Sequence, residues 1–314
     1  MKKDISIITP VYNESENVND LCATLDEYAK DKPYGMELIF VDDGSKDDTF
    51  KKIQQYSFQY ASAKLISLSK NYGSHAAIRA GLSEATAKYS MLFSGDLQEP
   101  VELIDRLYHK IQEGYDTVYV QKKETQVSKK ENFFSKMFAK LVRKYAVKDF
   151  PMGGVNNFMI SEKVRKIINE NVEANSSIFL QVMDLGFKNA TVDCDYIERK
   201  QGKSKWTLSK KIKLFVDSFV SFSFAPIRAV TMIGCVLSFA GIIYAIYILI
   251  MKIFNFYTFA AGWPTLIAVI LVGFGLTNIS LGIVAEYLWR TLDAARKRPV
   301  FIIDEVIEKT QDEQ

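Results

Sequence analysis

The stretch Leu38-Ile39-Phe40-Val41-Asp42-Asp43-Gly44-Ser45 decides the fold. A short apolar run closed by acidic and glycine turn residues reads as a buried strand. A helical stretch follows from Asp48. The same grammar repeats on both sides. Upstream, Ile5–Thr9 is a β-rich run that ends at Pro10-Val11-Tyr12-Asn13, and Glu14–Lys30 carries Val18, Leu21, Cys22, Leu25 and Tyr28 at helical spacing. Downstream, Leu65–Leu68 is a third strand and Ala76–Ala87 a third helix. Tyr89–Phe93 is a fourth strand ending at Ser94-Gly95-Asp96, and Val118–Val120 a fifth. Strands alternating with helices imply parallel pairing through right-handed crossovers. In such sheets ligands bind beyond the carboxyl ends of the strands. Asn13, Glu14, Asp42, Asp43 and Asp96 all fall at those ends.

Composition narrows the classes. Of 314 residues, 48% are hydrophobic and 25% charged, an ordinary globular average. That average hides an almost uncharged stretch from Ala229 to Leu288. A net charge of +3 gives no argument for a nucleic-acid partner. Cys22, Cys194 and Cys235 have no metal-ligand spacing and an odd count, which reads as reduced thiols in a cytoplasmic setting. Met1-Lys2-Lys3-Asp4 runs straight into the first strand, so no signal peptide is expected.

The second half reads toward a membrane. Lys129–Lys148 is a basic amphipathic helix with Phe133, Phe134, Met137, Phe138 and Leu141 in its apolar stripe. It suits either packing on the sheet or facing lipid. Arg199–Lys213 holds seven basic residues and no acidic one, and Leu208, Ile212, Phe215, Val216 and Phe219 follow at helical spacing. That pattern reads as an interfacial helix with lysines toward anionic headgroups. Val230–Met251 and Trp263–Leu288 are each apolar and long enough to cross a hydrocarbon core of about 30 Å. Basic residues crowd their outer ends, including Arg228, Arg290, Arg296, Lys297 and Arg298, while the connecting loop has only Lys252. The positive-inside rule then puts the large amino-terminal domain and both termini in the cytoplasm, the protein being multi-pass in the inner membrane. Gly234-x-x-x-Ser238 and a glycine-rich second span allow close helix packing and a possible homo-oligomer.

The acidic clusters carry the chemistry. Adjacent carboxylates at Asp42 and Asp43 are costly unless ribose hydroxyls, a base N–H or a divalent cation compensates them. Helix capping explains part of the run through Asp47-Asp48-Thr49, but not both Asp42 and Asp43 before a glycine turn. Asp96, just past a hydrophobic strand, suits a hard cation set against a diphosphate. No dinucleotide fingerprint follows the first strand and no phosphate loop occurs, which argues against a dehydrogenase or an ATPase. His75 and His109 are too few for a zinc site, and His75 reads as a plain polar contact near the cleft.

The ordered segments Thr9-Pro10-Val11-Tyr12-Asn13-Glu14, Val41-Asp42-Asp43-Gly44-Ser45, Ser69-Lys70-Asn71-Tyr72-Gly73 and Gly95-Asp96-Leu97-Gln98-Glu99-Pro100 resemble the motifs of family 2 glycosyltransferases. Arg199-Lys200-Gln201-Gly202-Lys203-Ser204-Lys205-Trp206 and the two apolar stretches resemble the polyprenyl-phosphate subgroup, the bactoprenol glucosyltransferases and dolichyl-phosphate mannose synthases. The resemblance implies an α/β GT-A fold, Rossmann-like with a mostly parallel sheet. It implies that Pro10, Tyr12, Glu14, Asp42, Asp43 and Lys70 hold a nucleotide-sugar donor, and that Asp96 holds Mg²⁺ or Mn²⁺ on its diphosphate. Arg199, Lys203, Ser204 and Lys205 are implied to meet the acceptor phosphate of a polyprenyl phosphate such as undecaprenyl phosphate, with UDP-glucose as the donor by analogy. Two positions depart from the family pattern. Ser94 stands where Asp-x-Asp has its first carboxylate, and Asn157, in Gly153-Gly154-Val155-Asn156-Asn157-Phe158, stands where the family has an aspartate. Asn157 cannot take a proton, yet it can orient an acceptor phosphate that is already ionised. A catalytically weakened scaffold that binds nucleotide-sugar or lipid is the alternative. The expected organisation is a catalytic domain at 1–199, a juxtamembrane region at 200–228, a hairpin at 229–289 and a tail at 290–314.

Overall fold

The computed structural model describes residues 3–122, 139–140, 142–143, 150–151, 154–173, 176–195, 225–254 and 263–309. The chain divides into two compact units, Met1–Ser218 with Arg298–Gln314, and Phe219–Lys297.

The first unit is built on β1 (Lys3–Val11), β2 (Gly35–Asp42), β3 (Ser62–Leu68) and β4 (Tyr89–Leu92). They lie side by side in the order β3-β2-β1-β4, all parallel. Their connections are α1 (Val18–Ala29), α2 (Thr49–Gln55) and α3 (Ser74–Glu84). Five consecutive residues of β1, Ile5–Thr9, are buried. Burial on both faces is why these strands read as continuous apolar runs and not as alternating ones. Strand order reverses between β1 and β4, because β2 and β3 extend to one side of β1 and β4 joins the other. In sheets of this kind ligands bind beyond the carboxyl ends of the strands at such a reversal, which here lies beside β1 and β4.

The sheet grows outward from this core. β5 (Thr117–Lys122) follows α4 (Leu103–Gln112), while β6 (Asn157–Ser161), α5 (Glu162–Glu170), α6 (Ile178–Asp184) and β7 (Asn189–Cys194) come later in the chain. The full order is β7-β5-β6-β4-β1-β2-β3-β8, and β6 is antiparallel to both β4 and β5. β8 (Ile303–Lys309) pairs antiparallel with β3, in a stretch where the sequence placed only a tail. It covers the edge of β3, whose backbone groups would otherwise stand open to pairing with another chain. Lys309 at its end donates to the carbonyls of Tyr56 (2.6 Å) and Gln54, the last carbonyls of α2.

Two element ends differ from the periodicity. The first helix begins at Val18 and not at Glu14, because the Glu14 amide is engaged by the Thr49 hydroxyl at 2.8 Å and Glu14–Asn17 forms a turn. The third helix stops at Glu84, short of Ala87. The amide of Thr86 donates to Glu37 (3.0 Å) and that of Ala87 to Ser6 (3.1 Å). Of the helix expected over Lys129–Lys148, only 139–140 and 142–143 are described, with Ala139 and Val142 fully buried. Residues 196–224, with most of the juxtamembrane region, lie outside the described residues. None of the three cysteines forms a disulfide, and burial pushes the Cys22 thiol up to about 12, so it is an inert core group.

The second unit is a pair of helices, α7 (Ala225–Ile253) and α8 (Trp263–Arg296), 29 and 34 residues long. Met232, Phe239 and Phe274 are each about two-thirds exposed. The described polar side chains close on their own helix: Thr277, Asn278 and Ser280 donate to the carbonyls of Gly273, Phe274 and Leu276 at 2.8–3.1 Å. Among the described residues, no helix is long and apolar enough to cross a membrane.

One buried carboxylate organises the sheet-flanking loops. Asp26 on α1 is 2% exposed and accepts from the amides of Gln59 (2.8 Å), Tyr60 (2.9 Å) and Ala61 (3.1 Å). Asp26→Ala leaves three inward amides without partners and is expected to cost about 3 kcal/mol. Differential scanning calorimetry checks this, with the sheet unit melting about 8 °C lower.

Candidate active site

The site starts at the carboxyl end of β2. Asp42 is its last residue, paired across the sheet with Val11 and Ser67. It is 2% exposed. Its Oδ2 accepts the Ser45 amide at 3.1 Å, while Oδ1 is buried with no hydrogen-bond partner among the described residues. Burial pushes the Asp42 carboxyl above the usual range, the Ser45 bonds pull it back, and Asp47 adds to the rise. A buried acceptor left open can take a hydrogen bond from a bound molecule.

Asp43 does different work. Its Oδ1 accepts the Tyr72 amide at 2.7 Å and its Oδ2 the Gly73 amide at 2.9 Å, while its own amide donates to Val11. Burial raises this carboxyl too, those two amides oppose the rise, and the neighbouring Asp42 charge adds to it. Asp43 is thus a clamp between the loop after β2 and the loop after β3. Gly44 makes the clamp possible. Its φ is +68°, and a Cβ there would lie 2.5 Å from the Lys70 carbonyl carbon. Lys70 itself is exposed at the mouth, its ammonium 5.0 Å from the Tyr72 ring centre.

The loop after β1 is laced to the same turn. The Asn13 amide donates to the Ser45 hydroxyl (2.8 Å), and the Asn13 side chain accepts the Lys46 amide (2.9 Å). Asp47 accepts from Ser15 and from both the amide and hydroxyl of Thr49. The expected capping share of the acidic run therefore falls to Asp47. Pro10 and Tyr12 sit half-buried on this loop.

The loop after β4 joins from the other side. A Cβ on Gly95 would lie 3.1 Å from the Pro10 carbonyl oxygen, which places Ser94–Asp96 against the end of β1. Asp96 is partly exposed, and its Oδ1 accepts the Gln98 amide at 3.3 Å across Leu97, whose φ is +53°. Behind it, Glu99 is 3% exposed and its Oε2 accepts the Ser94 amide (3.3 Å) and the Asn157 side-chain amide (2.7 Å). Asn157, at the start of β6, is 1% exposed, and its Oδ1 accepts the Phe158 amide at 2.6 Å. Glu99 had no assigned role in the sequence; its one signal was a carboxylate next to Pro100, inside the same motif as Asp96.

The structure thus gathers Pro10, Tyr12, Glu14, Asp42, Asp43, Lys70 and Asp96 on adjoining loops at one end of the sheet, and places Asn157 beneath them. Arg199, Lys203, Ser204 and Lys205 lie outside the described residues. His75 makes the polar contact expected of it, its Nδ1 accepting the Ile178 amide at 3.4 Å. Among the described residues no three His, Cys, Asp or Glu side chains gather as a metal cage. The half-exposed Asp96 carboxylate nevertheless fits Mg²⁺, which takes one or two protein oxygens and fills its shell with water and diphosphate oxygens. A cavity of about 330 Å³ bordered by Lys88, Tyr89, Tyr115 and Asp116 lies at the amino ends of β4 and β5, away from these loops.

Comparisons with known proteins bear on the same residues. The family described as Glycosyl transferase family 2 matches residues 6–178. The uncharacterized glycosyltransferase YkcC of Bacillus subtilis (strain 168) is 32% identical over 302 residues, covering 95% of this chain and 92% of that protein. The undecaprenyl-phosphate 4-deoxy-4-formamido-L-arabinose transferase of Proteus mirabilis (strain HI4320) is 30% identical over 308 residues, covering 96% and 94%.

Two measurements check the geometry. For Asp42 the folded carboxyl is raised above its unfolded value. Its contribution to stability is therefore fully present below the unfolded value and lost as pH rises through the folded one. Asp42→Asn, which does not titrate, is expected to melt higher than wild type at neutral pH, with the advantage shrinking as pH falls through the aspartate range. Gly44→Ala combines a left-handed backbone with a clash against Lys70, at a cost of about 2 kcal/mol. Hydrogen exchange at the Tyr72 and Gly73 amides is expected to quicken by roughly tenfold or more as the Asp43 clamp loosens.

Proposed function

This chain belongs to glycosyl transferase family 2, and we propose that it moves a sugar from a nucleotide-sugar onto a polyprenyl phosphate at the cytoplasmic face of a membrane. The observation that carries the reading is the convergence of four loops around the open Oδ1 of Asp42 and the carboxylate of Asp96. The acceptor class draws on similarity to the Proteus mirabilis transferase along nearly the whole length of both chains.

In the proposed reaction the acceptor phosphate oxygen attacks the anomeric carbon in line with the departing nucleoside diphosphate, and configuration inverts. That phosphate is already largely ionised at neutral pH, its second pKa being about 6, so its oxygen needs no protein base. Asp42 takes a donor from the nucleoside, a hydroxyl or a base N–H. Asp43 keeps the Ser69–Gly73 loop closed on it, with Pro10, Tyr12, Glu14 and Lys70 around the donor. Asp96 would hold a divalent cation, Mg²⁺ or Mn²⁺, which when bound neutralises charge building on the leaving diphosphate. Arg199, Lys203, Ser204 and Lys205 offer cationic and hydroxyl partners suited to a phosphate monoester. Catalysis rests on positioning and electrostatics more than on proton transfer. UDP-glucose is the donor we propose, by analogy with bactoprenol glucosyltransferases.

The membrane reading draws on both units. At about 1.5 Å per residue α7 and α8 rise about 44 and 51 Å, beyond a hydrocarbon core of about 30 Å. Self-satisfied hydroxyls and amides along α8 suit a medium without water. The chain leaves the sheet unit before α7 and rejoins it as β8 after α8, so any membrane crossed in between is crossed an even number of times. Two crossings with both termini cytoplasmic, in the inner membrane, fit this and the basic flanks.

Membranes carrying the protein, incubated with a panel of nucleotide-sugars and undecaprenyl phosphate with and without Mg²⁺, test the proposal. Mass spectrometry of extracted lipid is expected to show a glycosyl-phosphoryl-polyprenol, reduced at least about 100-fold by Asp96→Ala. Nucleotide-sugar binding without product from any donor would instead favour a non-catalytic scaffold.

A further inference from the structure

The departure at position 157 acquires a physical meaning from its surroundings. Asn157 and Glu99 are 1% and 3% exposed, and they meet at 2.7 Å. Both ends of the asparagine amide are specified: Nδ2 points at a carboxylate oxygen, and Oδ1 receives the Phe158 amide at 2.6 Å. The same Glu99 oxygen receives the Ser94 amide, the first residue of the loop that carries Asp96. Asn157 stands on β6, between β4 and β5, so the sheet itself fixes the donor.

We propose that Asn157 is a positioning residue, matched to Glu99, that sets the Ser94–Glu99 loop and through it the direction of the Asp96 carboxylate. The proposal rests on the glycosyltransferase reading for the role of Asp96, and on geometry alone for the loop. An aspartate at 157 would set an oxygen 2.7 Å from the Glu99 oxygen, two anions facing each other where water barely reaches. Like charges at that distance repel strongly in a low-dielectric site. While one proton is shared between the two carboxyls the contact can persist; once it is lost at higher pH, Glu99 would swing away and release the Ser94 amide. The asparagine therefore meets Glu99 as a neutral donor at every pH. A side chain holding a ligating carboxylate in direction typically changes metal affinity by about 10–100-fold when altered.

The sign of this inference is testable by exchanging the pair. Full-length protein in detergent is prepared as wild type, Asn157→Asp, Glu99→Gln and the double variant Asn157→Asp/Glu99→Gln. In the double variant the glutamine nitrogen donates to the new aspartate, which removes the like-charge contact, and a turn of the glutamine amide brings its oxygen to the Ser94 amide that shared the same Glu99 oxygen in wild type. Hydrogen exchange at residues 94–98 is read on metal-free protein, and the Mg²⁺ concentration for half-maximal transfer is read separately. Asn157→Asp is expected to quicken exchange in that loop and raise the Mg²⁺ requirement by about tenfold or more, and the double variant to return both to within about threefold of wild type. Thermal melts identify a variant that has simply unfolded; Glu99→Gln, which can still accept both donors, then carries the comparison with the double variant. Unchanged exchange and Mg²⁺ requirement in Asn157→Asp would overturn the proposal. So would a folded double variant no better than Asn157→Asp. If wild type transfers no sugar, the exchange data alone decide the loop's positioning, and only the glycosyltransferase reading fails.

Discussion

Two negative charges side by side in a nearly dry strand end form the constraint on which the site depends. Asp42 and Asp43 are 2% and 4% exposed, and burial raises both carboxyls. Water cannot compensate them, so the surrounding backbone must. For Asp43 it does so completely enough to be useful, since two amides of the loop after β3 turn inward to meet it. For Asp42 compensation stops halfway, and one oxygen stays open. The difference separates a carboxylate tied to the backbone through both oxygens from one that keeps an oxygen open to a further donor.

The same logic reaches the other loops. Asn13, Ser45, Asp47 and Thr49 form a mesh in which backbone amides on one loop meet side-chain oxygens on its neighbour. Glu99 and Asn157 repeat the device under the loop after β4. Each loop is therefore held by a polar group on a different element, and the parallel sheet sets the spacing between those elements. The strand-order reversal beside β1 opens the space that these loops border.

Much of this was legible in the sequence, for definable reasons. β1 to β4 are buried on both faces, so each leaves an unbroken apolar run with turn residues after it, and the acidic residues at their ends mark the crevice. The mostly parallel α/β sheet follows from those four strands. β7 and β8 gave no such signal: nearly all their residues are exposed or only partly buried, as suits strands at the sheet's edges. β8 also pairs with a strand some 240 residues earlier, a contact that local periodicity cannot reveal. At the site, sequence spacing located Asp43 but not its task, because a clamp and a ligand share the same residue type. Asn157 reads in the sequence as a missing base; only its hydrogen bond to Glu99 shows what an amide does there. The apolar and basic segments were legible by composition, and residues 196–224 lie outside the described residues.

The central claim is that the open oxygen of Asp42 takes a hydrogen bond from the nucleoside part of a sugar donor. Calorimetric titration of nucleoside diphosphates into wild type and Asp42→Ala measures this most directly. The account predicts one site per chain in the wild type and a loss of about 30-fold in affinity in the variant, the equivalent of a charged hydrogen bond worth about 2 kcal/mol. Equal affinity in the two proteins would contradict it.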